Sequence, residues 1–326
     1  MQENSGLVFV GQLIDVQPVP DAHFIVSATV VCGKGGKWRG VIRKYELDLG
    51  SKCIVYLPDS LLPVSEEMQF MENRGWRVRM CRFRGAPSEV LIMPMSKEHH
   101  VTWTLPVGTD VTHIYGVKKY VKPVPAHLQG LAKGNFPDFI PKTDELNYQR
   151  HFDLVETLNG KPFYTTVKMD GSSTTAYKYK GQFGVCSRNL ELIEDDKNGY
   201  WKIANKYKLP EKLPEGYALQ WETCGPKIQS NPMGLNDIEG YAFSAYDIPN
   251  HKYVEMGDLI DLCKSLQFPM CDILSMGQEF NKDGIELMGE GKYDNGKQRE
   301  GIVVRSQENV GHAPISFKVI NLNYEK

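Results

Sequence analysis

Apolar residues fall in short runs separated by turn formers, and those runs define the expected elements. Residues 7–16 (LVFVGQLIDV) and 27–32 (SATVVC) are rich in Val and Ile and read as β-strands. Pro18, Pro20 and Asp21 mark a turn between them, and GKGGKWRG at 33–40 supplies another. CIVYL (53–57) and EVLIMPM (89–95) continue the series. Short strands at this spacing, with little helical periodicity, predict a small β-barrel. Residues 120–142 hold four prolines and no sustained periodicity, which predicts a linker or a wrapping loop.

The pattern changes after residue 142. FYTTVKM (163–169), TTAYKY (174–179), YALQWET (217–223), GYAFSAYDI (240–248), GIVVR (301–305) and ISFKVI (315–320) read as strands. Residues 197–208 and 256–266 read as helices, the second with apolar residues at three- and four-residue steps. This second region is α+β.

Composition narrows the class without naming a chemistry. The 326 residues suit two domains, with 41% hydrophobic and 24% charged residues. Lys+Arg is 38 and Asp+Glu is 40, a net charge of -2. Any polyanion-binding surface must therefore be a local concentration of positive charge. The seven cysteines are scattered and never spaced CxxC, which argues for free thiols and against a zinc cluster. His99-His100 lack acidic or cysteine partners at ligand spacing. The start shows no secretory pattern and no stretch approaches membrane-spanning length. An intracellular protein with no membrane association and no obligate protein partner is expected.

The chemistry begins at Lys168-Met169-Asp170-Gly171, which closes the 163–169 run. A lysine amine is protonated at neutral pH, so a nucleophilic lysine needs a lowered pKa. Gly171 is expected to let the chain turn sharply. Alone, four such residues can be a surface turn. Their weight comes from an ordered series of further motifs downstream. Ser187-Arg188-Asn189 comes after a strand, Glu222 lies in LQWETCGPKIQ, and Phe243 to Asp247 lie in AFSAYDI. Arg299-Glu300-Gly301-Ile302-Val303 and then Ser316-Phe317-Lys318-Val319-Ile320-Asn321 complete the series.

Over residues 141–326 this series resembles the covalent nucleotidyltransferase superfamily of DNA ligases, RNA ligases and mRNA capping enzymes. The Glu222–Gln229 run and the Pro141-Lys142-Thr143-Asp144-Glu145 lead-in are closest to RNA ligases. The resemblance implies that Lys168 is the nucleophile that takes AMP from ATP. It implies that Glu300 binds a catalytic Mg²⁺ or Mn²⁺, and that Lys318 contacts the α-phosphate. Glu222 would hold a ribose hydroxyl, and Arg188 would contact ribose or the strand's phosphate. Phe243 or Tyr246 would stack on adenine. Asp170, Gly171 and Lys142 belong with the nucleotide-binding set. Two positions depart from the family pattern. Asn147 stands where related RNA ligases tend to have an arginine, with Arg150 nearby. Ser316 stands where a second lysine is common.

The first region carries RGWRVRMCRFRG (74–85), with Arg74, Arg77, Arg79, Arg82 and Arg84 beside Trp76 and Phe83. Arginine fixes phosphates and aromatics stack on bases. Arg77, Arg79, Arg82 and Arg84 are the expected nucleic-acid contacts. The region looks like the OB-type domain that precedes the catalytic domain in one RNA ligase family. Many DNA ligases and capping enzymes carry theirs after the last motif. The sequence runs eight residues past Lys318, so none is expected there.

The expected architecture is α+β. It comprises an OB-type β-barrel over 1–125, a linker over 126–141, and an ATP-grasp-like adenylyltransferase domain over 142–326. That last domain has antiparallel sheets and flanking helices. The expected activity is ATP-dependent RNA ligation of 3′-hydroxyl and 5′-phosphate ends, in a nicked duplex, through lysyl-AMP and a 5′-adenylylated strand. The alternatives are a DNA ligase or GTP-dependent capping enzyme, and a non-catalytic RNA-binding protein.

Overall fold

A computed structural model describes residues 5–95, 99–121 and 130–325. They form two compact units, Met1–Pro123 with Tyr148–Asp153, and Val124–Asn147 with Leu154–Lys326. Both differ from a simple division along the chain. Tyr148–Asp153 were expected in the second domain. In the structure Gln149 Nε2 donates to Lys37 O (2.7 Å) and Arg150 Nη2 donates to Pro58 O, both within the first unit. Of the expected linker, residues 126–129 lie outside the described residues. Ala132–Asn135 is not a connector but a strand paired with Leu190–Leu192. An edge strand satisfies only one ladder, so four residues without apolar alternation suffice.

The first unit is built on a five-stranded antiparallel sheet. Its order is Gly36–Arg43, Ile25–Cys32, Val8–Pro18, Lys52–Tyr56, Leu91–Met93. Apolar clusters cover the sheet from two sides, one around Val8, Val10, Ile54 and Tyr56, the other around Leu13, Val30, Trp38 and Val55. The turn expected at 33–40 is shorter than its glycines suggest. Gly36–Arg43 is a strand with strict in–out alternation, and Trp38 is 2% exposed. Gly40 is there because the Ile92 side chain fills the space of a Cβ.

The second unit holds two antiparallel sheets. The larger has seven strands, in the order Ala132–Asn135, Leu190–Leu192, Gln182–Ser187, Ser172–Tyr179, Tyr217–Cys224, Glu239–Asp247, Lys252–Tyr253. The smaller has four, Ile273–Glu279, Pro162–Val167, Gly301–Ser306, Ser316–Ile320. The Met256–Leu266 helix follows the predicted periodicity and buries Leu259, Cys263 and Leu266. The Gly199–Lys206 helix is capped by Asn198, whose side chain accepts from Tyr200 N, and buries Trp201, Ile203 and Ala204. Both helices pack in one core with Trp221, which is 0% exposed. Truncating an aromatic in such a place costs about 3–5 kcal/mol. Among the described residues, no helix is long and apolar enough to cross a membrane.

Candidate active site

The motif strands of the second unit bring their charged ends together. Lys168 follows the Pro162–Val167 strand, and its N–H donates to Gly301 O (3.0 Å). Glu300 immediately precedes the neighbouring Gly301–Ser306 strand. Lys318 lies on the next strand, paired with Val303. Glu222 comes from the other sheet, opposite Ser173. A bulge at Gln220/Trp221 sits just before Glu222, the kind of irregularity that re-aims a side chain.

Two glycines permit this convergence. Gly301 has φ +148, and a Cβ there would collide with Val319 O. Gly171 was expected to make a sharp turn, but its φ is not positive. It is needed because a Cβ would run into Thr223 O, Cys224 and Glu222. The glycine of the lysine motif therefore lets the chain entering the Ser172–Tyr179 strand lie close against its neighbour Tyr217–Cys224 rather than turning the chain.

The ionised groups are tightly coupled. Lys168 Nζ lies 2.6 Å from Glu300 Oε2, with side chains 23% and 14% exposed. Burial pulls the Lys168 pKa down, but Glu300, Glu222 and Asp170 outweigh it and hold the amine above its ordinary value. This reverses the lowered pKa expected of a nucleophile, because the nearest charges are carboxylates. Burial pushes Glu222 up to about 8, with Glu300 and Asp170 adding to it and Lys168 opposing. Burial lowers the Lys318 pKa and the Lys168 charge lowers it further. Asp170 is 3% exposed and accepts from Tyr324 Oη at 2.6 Å.

The remaining expected residues stand further out. Arg188 is exposed and pairs with Asp144 (2.6 Å), and Lys142 Nζ donates to Asn189 Oδ1 (3.1 Å). These contacts tie the 142–144 lead-in to the 188–189 turn. Phe243 and Tyr246 separate clearly. Tyr246 is buried against Tyr253 (5.3 Å) in a core cluster, while Phe243 lines a cavity of about 470 Å³. That cavity is also lined by Lys142, Gln220, Arg305 and Ser316, and the lysine cluster lies outside its lining.

The structure places both positions that depart from the motif pattern. Ser316 Oγ donates to Glu145 Oε2 (2.6 Å), so this position serves the lead-in. Asn147 forms a parallel bridge with Lys318, whose N–H donates to Leu146 O (2.7 Å), whereas Arg150 belongs to the first unit. Sequence reasoning missed Arg305. Its side chain is 4% exposed, pairs with Glu145, and donates to Phe243 O (3.3 Å). A charge inside the apolar GIVVRS strand was the available signal. Tyr293 and Tyr324 were also missed, and nothing in the linear pattern marks them.

In the first unit the arginines divide. Arg77 pairs with Asp59 (2.6 Å) and lies 3.7 Å over the Tyr120 ring, so it is committed internally. Arg82 donates to Gly85 O (2.8 Å), and Arg84 to Asp21 O (3.1 Å). Arg79 and Arg84 are exposed.

Comparisons with known proteins bear on both units. The RNA ligase family model matches residues 161–320, and an OB-fold domain model matches residues 7–95. Among solved structures, a lysine-to-alanine mutant of Naegleria gruberi RNA ligase with ATP and Mn is similar at 30% identity. The match covers 97% of each chain with a TM-score of 0.80. A glutamate-to-alanine mutant of that ligase with AMP and Mn shows 31% identity, 97% coverage of each chain and a TM-score of 0.80. The same ligase with PPi shows 30% identity over 97% of this chain and 96% of that one, with a TM-score of 0.78. No curated protein matches the sequence.

Proposed function

The chain belongs to the RNA ligase family, and from that premise we propose that it seals RNA with ATP through a lysyl-AMP formed on Lys168. The observation that carries this reading is the Lys168 amine, 2.6 Å from Glu300 and electrostatically coupled to Glu222, Asp170 and Lys318. Attack by Lys168 Nζ on the α-phosphorus of ATP forms a P–N bond and releases pyrophosphate. Only the neutral amine can attack. Lys168 must therefore leave its ion pair and lose a proton. Once Glu300 is drawn away, burial favours the neutral form, against the weaker remaining pull of Glu222 and Asp170.

The acidic residues fit a hard divalent cation held mainly by water and phosphate. Among the described residues, no group of three or more His, Cys, Asp or Glu stands at ligand spacing. Mg²⁺ or Mn²⁺ commonly takes only one or two carboxylates beside substrate oxygens. Glu300 would supply one, and the bound ion would neutralise charge on the phosphates. Lys318 stabilises the α-phosphate, and Glu222 holds a ribose hydroxyl. Phe243 stacks on adenine at the cavity wall. Asp170 and Gly171 shape the nucleophile's surroundings, while Arg188 and Lys142 lie at the rim.

AMP then passes to a 5′-phosphate end, forming a 5′–5′ pyrophosphate. A 3′-hydroxyl attacks that strand's phosphorus, the phosphodiester forms and AMP leaves. A nicked duplex presents both ends together, and the OB-type unit meets its phosphates through Arg79, Arg82 and Arg84. The Naegleria ligase complexes with ATP and Mn and with PPi match the substrate and leaving group of the first step, and the complex with AMP and Mn matches the product released in the last.

The test is incubation with α-labelled ATP and Mg²⁺ or Mn²⁺, followed by nicked RNA. Covalent label on Lys168 and joined RNA are expected. A protein that takes no label overturns the reading. Label from GTP in place of ATP indicates a capping enzyme, and sealing restricted to DNA 3′-hydroxyl ends indicates a DNA ligase.

A further inference from the structure

We propose that Tyr324 and Tyr293 are positioning residues for lysine adenylylation, clamping the Lys168–Asp170 segment by its carboxylate and its backbone. This rests on Lys168 being the nucleophile. The Tyr324 hydroxyl donates to Asp170 Oδ2 at 2.6 Å, within the range of a hydroxyl bonded to a charged acceptor. Asp170 is buried and only two residues from Lys168, so its rotation is coupled to the nucleophile's backbone.

Tyr293 grips the other side. Its hydroxyl donates to Lys168 O (3.2 Å) and accepts from Glu300 N (3.3 Å). One phenol thus joins the backbone of the nucleophile to the backbone of its ion-pair partner. Asn321 links the two clamps. Its backbone N–H donates to Glu300 O (2.9 Å), its backbone carbonyl accepts from Tyr324 N (3.1 Å), and its side-chain amide donates to Arg299 O (2.9 Å).

Packing and hydrogen bonding are separable here. Both rings belong to the apolar cluster of Val167, Met169, Cys224 and Cys271, which fixes where the hydroxyls sit. Each hydroxyl then reaches the Lys168–Asp170 segment rather than a remote part of the core. Geometry of this kind matters because the attacking atom must sit about 3–3.5 Å from the phosphorus, and a 1 Å displacement can cost about a hundredfold.

The experiment compares Tyr324→Phe, Tyr324→Leu and Tyr293→Phe in the full chain. It measures single-turnover label uptake from α-labelled ATP across ATP concentrations, together with thermal melting. Tyr324→Phe keeps the ring and should lose roughly tenfold in maximal rate. Its half-saturating ATP and its melting midpoint should stay near wild type. Tyr324→Leu should lose both rate and stability, and Tyr293→Phe should lose rate by a smaller factor. Wild-type rates in both phenylalanine variants would show that the rings matter only for packing and would overturn the proposal. Should Tyr324→Phe not fold, Tyr293→Phe decides alone, a wild-type rate overturning the clamp. A wild-type protein that takes no label on Lys168 would overturn the ligase reading instead, so the two failures are distinct.

Discussion

The lysine cluster and the arginine-rich segment are both basic, yet the chain handles them in opposite ways. Lys168 and Glu300 lie 132 positions apart in sequence and meet at 2.6 Å in a partly enclosed site. Lys318 arrives from a third segment, its pKa lowered by burial and by the Lys168 charge. The arginines of 74–85 are neighbours in sequence but do not act as one patch. Arg77 is taken by Asp59 and Tyr120, and Arg74 lies 5.2 Å over the Phe83 ring. Arg79 and Arg84 remain exposed. A charge that performs chemistry is desolvated and surrounded by opposing charges, which is costly unless every member is paired. A charge that meets a polyanion must stay accessible to it. Residues close in sequence therefore end in different environments at 74–85, while residues far apart in sequence converge around Lys168.

The sharpest break between the two regions comes from the nucleophile. Lys168→Met should abolish covalent label uptake from ATP. Joining of a strand that already carries 5′-AMP should persist, since that step needs no lysyl-AMP. A labelled Lys168→Met protein would remove Lys168 from the mechanism. Glu300→Ala comes next, with adenylylation slowed by about a hundredfold through lost charge stabilisation. A near-normal rate in that variant, measured at saturating Mg²⁺ and Mn²⁺, would exclude Glu300 from the metal site.

How far the sequence reached is governed by the same physics. Alternating apolar runs located six of the eleven strands in the two sheets of the second unit, each of the six buried on at least one face. Gly36–Arg43 was misread because its glycines, which make room for packing, look like turn formers. Ala132–Asn135 was missed because an edge strand needs no apolar signature. Ile273–Glu279 was missed too, being mostly exposed. At the site, motif order identified Lys168, Glu222, Glu300 and Lys318 as candidates, and the fold brings them together. Which of Phe243 and Tyr246 lines the cavity needed three dimensions, because strand alternation fixes relative faces but not which face meets the cavity. Tyr293, Tyr324 and Arg305 make contacts across more than a hundred residues, which no local pattern encodes.

The comparison is sharpened by separating the arginines. Arg79→Ala with Arg84→Ala should leave label uptake unchanged and weaken nick sealing by roughly tenfold at moderate salt. The slope of log affinity against log salt should shrink by about 1.8, the release expected for two lost duplex phosphate contacts. Arg77→Ala should instead lower thermal stability, because it breaks an ion pair and a ring contact within the unit. Unchanged sealing and unchanged salt slope in the double variant would make the segment an ordinary solvated face.

The smallest effect tests the electrostatics of the lysine cluster without requiring any substrate. Glu222 has its pKa pushed from near 4.5 up to about 8, first by burial and then by Glu300 and Asp170, against the pull of Lys168. The folded protein therefore holds a proton that the unfolded chain releases at lower pH. Linkage sets the sign: this contribution to stability is complete below about 4.5 and is lost as pH rises through about 8. Glu222→Gln keeps the shape of the neutral form and cannot ionise. Wild type and Glu222→Gln should melt together at pH 5. By pH 8 the variant should melt higher by a few degrees, given about 2–4 °C per kcal/mol for domains of this size. The exposed arginines provide the control, since Arg79→Ala should not alter the pH dependence at all. Parallel melting curves for wild type and Glu222→Gln from pH 5 to 8 would mean that Glu222 is ionised throughout. The cluster would then hold its charges by pairing, as the surface does, rather than by burial.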